Sequence, residues 1–495
     1  MKIQSCILAA ALALLGVTAA AQDKPADPEQ ARAAAEAAMI KKAEALSESQ
    51  IKQSHDIRGL TKLAQIYNAR NDLQRFTWVL QRVVELMPNS GDLKIQLALA
   101  YAKADDKTNA YDTLIHMQMQ GFGYDIANDP RFDPIHGTKV WDYIVANLQV
   151  NAKPFGEGKV AVSLPQGDYL FDALAWDSTH KQLLAGSARE GKVFRVDEHG
   201  KLADFISPDA ANAIGGVTAL AVDAAHAKVY VAGASTPVFR GFNADNANKS
   251  AIFAFDLGSG KLLNKYPLAR VSGGDVIVSL VVSKDGQLYA ADGRRKRVYK
   301  LDGDALKPII TNPKLTNISA LALSDDGRTL YLADYALGIF GYDLTKAEAF
   351  EPRHDAGKLV LGGIVGMHWY DGTLAVIQDG MQPKRAMRLQ LTKDGRSITG
   401  AMPLDVAQSA FVALGSGTVA GDKLYFIANR QDALYDTHGV LSDSGKLQPT
   451  IVYASNLRFA WGQSGVGHGA SPLPVSSGKP MPTKHPLPVK DPGKQ

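Results

Sequence analysis

Cysteine is nearly missing from this chain of 495 residues: the one thiol is Cys6. A single cysteine closes no intrachain disulfide and builds no cysteine-ligated metal site. Charge of one sign is lacking too. Against 54 Lys and Arg stand 50 Asp and Glu, a formal net charge of +4, too small for the electrostatic footprint of a nucleic-acid binder. No P-loop, H-E-x-x-H, nucleophile elbow or Rossmann fingerprint stands in a usable context. Long apolar runs are confined to the beginning, MKIQSCILAAALALLGVTAAAQD, where Lys2 precedes the apolar residues Ile7 to Val17 and Ala19, Ala20 and Ala21 precede Gln22. That order reads as a cleaved leader, and the run is short for a membrane span. Cys6 precedes the run, the wrong side for a lipid-anchored cysteine. The expectation is a signal peptide over 1–21, cleaved near Ala21. It makes a periplasmic or secreted protein with no membrane span after cleavage and no thiol chemistry.

What is present divides by pattern. Residues 22–57 read as a lead with a helix starting near Pro28, since proline is accepted in a first turn. Next, Leu63, Ala64, Tyr67 and Asp72 return 34 residues later as Leu97, Ala98, Tyr101 and Asp106. Phe76, Leu80, Val83, Val84 and Met87 fall on one face of a helix over 73–87, and Pro88 follows it. A step of 34 residues resembles a pair of tetratricopeptide repeats, within a helical domain over 58–150. Helices near 39–55 and 139–148 would cap it. The resemblance implies a surface for a protein partner; packing on the remainder of the chain is the alternative.

Beyond Pro154 one phrase keeps returning: LAWDSTHKQLLAGS, LAVDAAHAKVYVAG, LVVSKDGQLYAADG, LALSDDGRTLYLADY, MHWYDGTLAVIQDG and the shorter TVAGDKLYFIAN. Each is an apolar strand, a tight turn and an alternating strand. Asp285-Gly286, Asp326-Gly327 and Asp371-Gly372 supply turns, because glycine accepts positive φ. Six returns of one hairpin predict a radial array, a six-bladed β-propeller over 155–460, with VAVSL (160–164) closing the ring against the last blade. Residues 461–495, rich in proline and lysine, read as a disordered tail. The fold class is therefore multidomain, an all-α tetratricopeptide-like domain followed by an all-β six-bladed propeller.

These phrases resemble the propellers of the gluconolactonase and senescence-marker-protein group, and more loosely NHL-repeat propellers. The resemblance implies a divalent metal such as Ca²⁺ in the central channel, held by oxygens. It would activate a lactone carbonyl for hydrolysis. Carried over residue by residue, it points to Asp172 in FDALAWD and Asn317 in TNISALALSDDG as metal ligands. At the two remaining places stand Ser279 and, near the acid's position, Val365. Asp292 and Asp334, which end second strands in successive blades, read as structural carboxylates bonding backbone N–H groups.

Loops after the second strands carry Arg189; Arg294, Arg295, Lys296 and Arg297; Lys384 and Arg385; and Arg430. Their placement suggests a basic ring at one channel mouth. Arginine forks there would take an anionic small molecule or an acidic chain end. The leading expectation is an exported binding protein with that anion in the channel, and the alternative is a metal-dependent lactonase or esterase.

Overall fold

A computed structural model describes residues 37–271 and 273–458. The expected leader, the helix start near Pro28 and the tail from 461 lie outside these residues. The chain divides into two compact units, up to Val79 and from Leu80 onward. No helix among the described residues is long and apolar enough to cross a membrane.

In the first unit, residues 37–44 are helical, followed by Glu48–Gln53 and Ile57–Ala69. Ser47 and Gln50 cap the second helix reciprocally, satisfying amide groups that a helix start leaves open. Tyr67 donates from its hydroxyl to the Ala43 carbonyl at 2.6 Å. The helix Leu73–Leu86 crosses the boundary between the units.

The second unit opens with helices Gly91–Lys103, Lys107–Met119 and Lys139–Asn151. The helices starting at Ile57 and Leu73 are followed, at the predicted step of 34, by those starting at Gly91 and Lys107. The turns repeat too: Asn71 and Asp105 both take positive φ, and Asp72 and Asp106 both accept an amide N–H of the following helix. Within this unit the helical residues are tied to blades 4 and 5. Asn89 Nδ2 donates to the Ala336 and Leu337 carbonyls, both at 3.2 Å, and Gly123 N donates to the Gln382 carbonyl at 2.9 Å.

Six antiparallel sheets follow. Their inner strands are Phe171–Asp177, Gly216–Asp223, Ile277–Val282, Ile318–Leu323, Ile364–Tyr370 and Gly417–Ala420, which begin blades 1 to 6. The predicted closure is present: Lys159–Ser163 pairs with Ile451–Asn456 of the last blade. The sheet edge it covers would otherwise be left open to other strands. Gly286, Gly327 and Gly372 all have positive φ at the predicted hairpin turns. The apolar faces of neighbouring blades meet. Leu184 of blade 1 and Val229 of blade 2 share one fully buried cluster with Phe253.

The inner strands hide a feature that alternation does not announce. In five of them the register slips by one residue near the start, between Phe171 and Ala173, Val217 and Ala219, Ile277 and Ser279, Ile318 and Ala320, and Ile364 and Gly366. Each slip is a β-bulge, which turns the extra residue out of the ladder. The extra residues are Asp172, Thr218, Val278, Ser319 and Val365. Hydroxyls near this level stitch blade to blade. Thr218 Oγ1 donates to the Ile277 carbonyl at 2.7 Å, Ser319 Oγ to that of Ile364 at 2.6 Å, and Ser416 Oγ to that of Asp172 at 2.6 Å. Ser279 Oγ accepts from Leu321 N at 3.0 Å, so Ser279 also links two blades.

Candidate functional site: the channel mouth

The five bulge residues, with Ser416 of blade 6, line one cavity of about 330 Å³ at the channel mouth. Of the six, Asp172 alone is ionisable. Asn317, Tyr335, Asp379 and Arg430, with Val276 and Ile318, complete the wall. The start of each inner strand and the end of each second strand lie at the same end of a blade, which is why these segments converge.

Asp172 keeps partial exposure, to the cavity, while protein surrounds it. Burial raises its pKa; Arg430 opposes the shift and Asp432 adds to it. Its carboxylate has no hydrogen-bond partner among the described residues. Arg430 donates from Nε to Asp432 Oδ1 at 2.8 Å. Burial pulls its pKa down, and the carboxylates of Asp172, Asp432 and Asp379 outweigh that and raise it. The Nη groups of Arg430 meet no acceptor among the described residues, and the same holds for the Asn317 amide and the Tyr335 hydroxyl. Asp379 accepts from Leu414 N at 2.7 Å and pairs with Lys384 at 3.2 Å. A cleft of about 670 Å³ adjoins this cavity, sharing Tyr335 and Asp379, with Asn89, Asp92 and Tyr124 on its helical side.

The predicted basic ring does not assemble in this cavity. Arg189 is held by Asp168 at 2.9 Å and lies over the Tyr435 ring. Arg295 pairs with Asp275 at 3.0 Å. Arg294 donates to the Gly273 carbonyl, and Arg297 is exposed at the start of the third strand of blade 3. Arg385 is 1% exposed, with Nε donating to Gln378 Oε1 at 2.7 Å, and burial lowers its pKa to about 9. Arg430 alone of the six lines the channel cavity. For Arg189 and Arg295 the physical reason is pairing: Asp168 and Asp275, about twenty residues earlier in the chain, neutralise arginines that look free along it.

The predicted metal ligands Asp172 and Asn317 do face one cavity. Their set fits a hard dication poorly. Ca²⁺ takes six to eight oxygens, whereas the lining offers two carboxylates, Asp172 and Asp379, and the Asn317 amide; the Thr218, Ser319 and Ser416 hydroxyls donate to backbone carbonyls, and a guanidinium occupies the same wall. Among the described residues no group of three or more His, Cys, Asp or Glu side chains is placed to hold a metal.

Asp334 plays the structural part expected, accepting from Thr316 N at 2.6 Å and Asn317 N at 3.0 Å, and from Ala336 N and Leu337 N. Asp292 accepts from Arg294 N and Arg295 N, both at 2.9 Å. In blade 5 the amide of Gln378 takes this role, donating to the Val360 and Gly362 carbonyls. The carboxylate that follows it, Asp379, is displaced by one residue and lines the cavity. Sequence reasoning missed Asp379 and Tyr335. The signal for Asp379 was its one-residue offset from Asp292 and Asp334 in the repeated phrase.

No protein-family model matches this chain, and no curated protein matches it in sequence. Among solved structures it is similar to a gluconolactonase from Xanthomonas campestris, at 13% identity over 62% of this chain and 91% of that one, TM-score 0.39. It is similar too to a virginiamycin B lyase from Staphylococcus aureus, at 13% identity over 61% of this chain and 100% of that one, TM-score 0.40. The propeller fold stands here on its own strand order.

Proposed function

We propose that the propeller binds a polar small molecule at the channel mouth. Arg430 would donate to a ligand oxygen, and Asp172 and Asn317 would take its hydroxyl or amine hydrogens. One observation carries this reading: Asp172, Asn317, Tyr335 and Arg430 all turn unpartnered polar atoms toward one cavity. Polar groups withdrawn from bulk water are nearly always hydrogen-bonded, so the partly buried Asp172 and Arg430, left open to the same volume, suit a guest, with the exposed Asn317 and Tyr335 at its rim. The mixed charge of the wall favours a neutral or zwitterionic guest over the simple anion that the loop arginines suggested. The leader reading of 1–21 would set this binding in the periplasm or outside the cell. The 34-residue step supports a tetratricopeptide-like surface over 58–120 for a protein partner.

The test is thermal unfolding against a panel of hexoses, sugar acids and sugar lactones. A ligand of the folded state at a hundredfold excess over its Kd adds roughly 2.7 kcal/mol. The expected result is a shift with one class that Arg430→Gln and Asp172→Asn each remove. A panel that leaves the wild type unmoved, or moves all three proteins alike, sinks the proposal.

A second reading, a divalent-metal-dependent lactonase, has its own support in Asp172 and Asn317 sharing the cavity. It predicts a Ca²⁺-dependent shift reversed by EDTA and abolished by Asp172→Ala, together with turnover of a sugar lactone. Without both, the binding reading stands alone.

A further inference from the structure

A second cavity, of about 510 Å³, is built by blade 2 and the segment that leads into it, and shares no residue with the channel pocket. Phe239, from the loop after the second strand, gives it a partly exposed aromatic wall beside Pro208 and Leu268, while Phe253 and Ile214, each 2% exposed, lie behind. Three cations line it, Lys249, Lys265 and Arg270, and no acid does. None of the three has a carboxylate partner among the described residues. Lys265 donates to the Asn212 carbonyl at 3.0 Å and lies 5.1 Å from the Phe253 ring centre. Arg270 donates to the carbonyls of Ala247 at 3.1 Å and Ala244 at 3.4 Å. Carbonyls hold these side chains in place without cancelling their charge. An ammonium has three hydrogens to donate and a guanidinium five, so donors remain for a guest.

We propose that this cavity binds an amphipathic monocarboxylate, its aromatic or alicyclic body against Phe239, Pro208 and Leu268 and its carboxylate among Lys249, Lys265 and Arg270. The pairing is one of charge and shape. Three cations, with no acid among them, line the edge of a partly apolar space, and a single carboxylate on a flat apolar body complements both features. Charge-assisted hydrogen bonds are the strong ones, and Phe239 with its apolar neighbours supplies the contact area. The proposal is independent of what the channel binds.

Isothermal titration calorimetry with 2-naphthoate, and with 2-naphthamide as the uncharged isostere, tests it on the full chain. Naphthoate is expected to bind, and the amide at least about tenfold more weakly, the loss of one charge-assisted contact. Lys249→Gln is expected to weaken naphthoate about tenfold. Lys249 has no described side-chain bond, so this variant keeps the loop intact where Arg270→Gln removes loop contacts. Arg430→Gln is expected to leave naphthoate binding unchanged, which separates this site from the channel. Equal binding of acid and amide, no binding of naphthoate, loss of it in Arg430→Gln, or no effect of Lys249→Gln would each overturn the proposal.

Discussion

The channel pocket and the blade 2 pocket treat positive charge in opposite ways. At the channel mouth Arg430 is surrounded by Asp172, Asp379 and Asp432, and Lys384 is paired with Asp379. In blade 2, Lys249, Lys265 and Arg270 stand beside phenylalanine rings and backbone carbonyls with no acid in the wall. A basic residue is therefore a poor guide to an anion site until its neighbours are known. A guanidinium matched by carboxylates is a neutral patch with directional bonds, whereas an unmatched one creates a field.

The largest expected effect tests the blade 2 side of this contrast. Reversing two charges, with Lys249→Glu and Arg270→Glu together, is expected to weaken naphthoate more than about a hundredfold, since repulsion replaces attraction. The corresponding channel variant, Arg430→Glu, is expected to leave it intact by calorimetry. Stability is expected to show the reverse order. Arg430→Ala leaves Asp172 and Asp432 without their guanidinium at a partly buried site and is expected to cost about 2 kcal/mol in urea unfolding. Lys249→Ala, exposed and without a carboxylate, is expected to stay within about 0.5 kcal/mol. A large loss from Lys249→Ala would erase the distinction.

Asp172 sharpens it further through pH. Its folded pKa lies above the ordinary 3.8 because burial disfavours the charge. Between those two values the folded state holds a proton that the unfolded state has released. Stability therefore falls as pH rises through the folded pKa, and the loss persists above it. Asp172→Asn is expected to be more stable than wild type at neutral pH, by about 1 kcal/mol, and to lose that advantage below the ordinary carboxylate value. Paired urea titrations at neutral and acid pH measure it. An advantage that does not depend on pH would show that Asp172 is not held in a desolvating site.

The smallest expected effect comes from salt. Raising ionic strength from about 0.05 to 0.3 M is expected to weaken naphthoate a few-fold, because the cations of blade 2 are exposed and screened. Binding at the channel, among groups whose opposite charges already offset one another, is expected to change less. Equal salt dependence at both sites would count against the contrast.

Along the chain the blades were legible, down to the strand that closes the ring, because a two-residue period and an Asp-Gly turn are local properties. The turn carboxylates Asp292 and Asp334 were legible for the same reason: they bond to amides a few residues away or across one hairpin. Asp172 and Asn317 were found together through the resemblance, and they do line one cavity. The bulges that place Asp172, Thr218, Val278, Ser319 and Val365 in one ring were not legible. A bulge changes the pairing between strands without changing the pattern of either. Nor was the fate of Arg189, Arg295 and Arg385 legible, since Asp168, Asp275 and Gln378 approach them from other segments.

By itself the sequence determined a six-fold return of one hairpin, the helical step of 34 residues before it, and hence the kinds of element and their order. Only the tertiary structure decided which charges survive. A carboxylate cancels an arginine when the two approach within a few ångströms, and for Arg189 and Arg295 that approach is set by the strand pairing within a blade, which brings together residues about twenty positions apart. For that reason Arg189 and Arg295 are neutralised by Asp168 and Asp275, while Lys249, Lys265 and Arg270, scattered and unremarked along the chain, line one cavity without an acid.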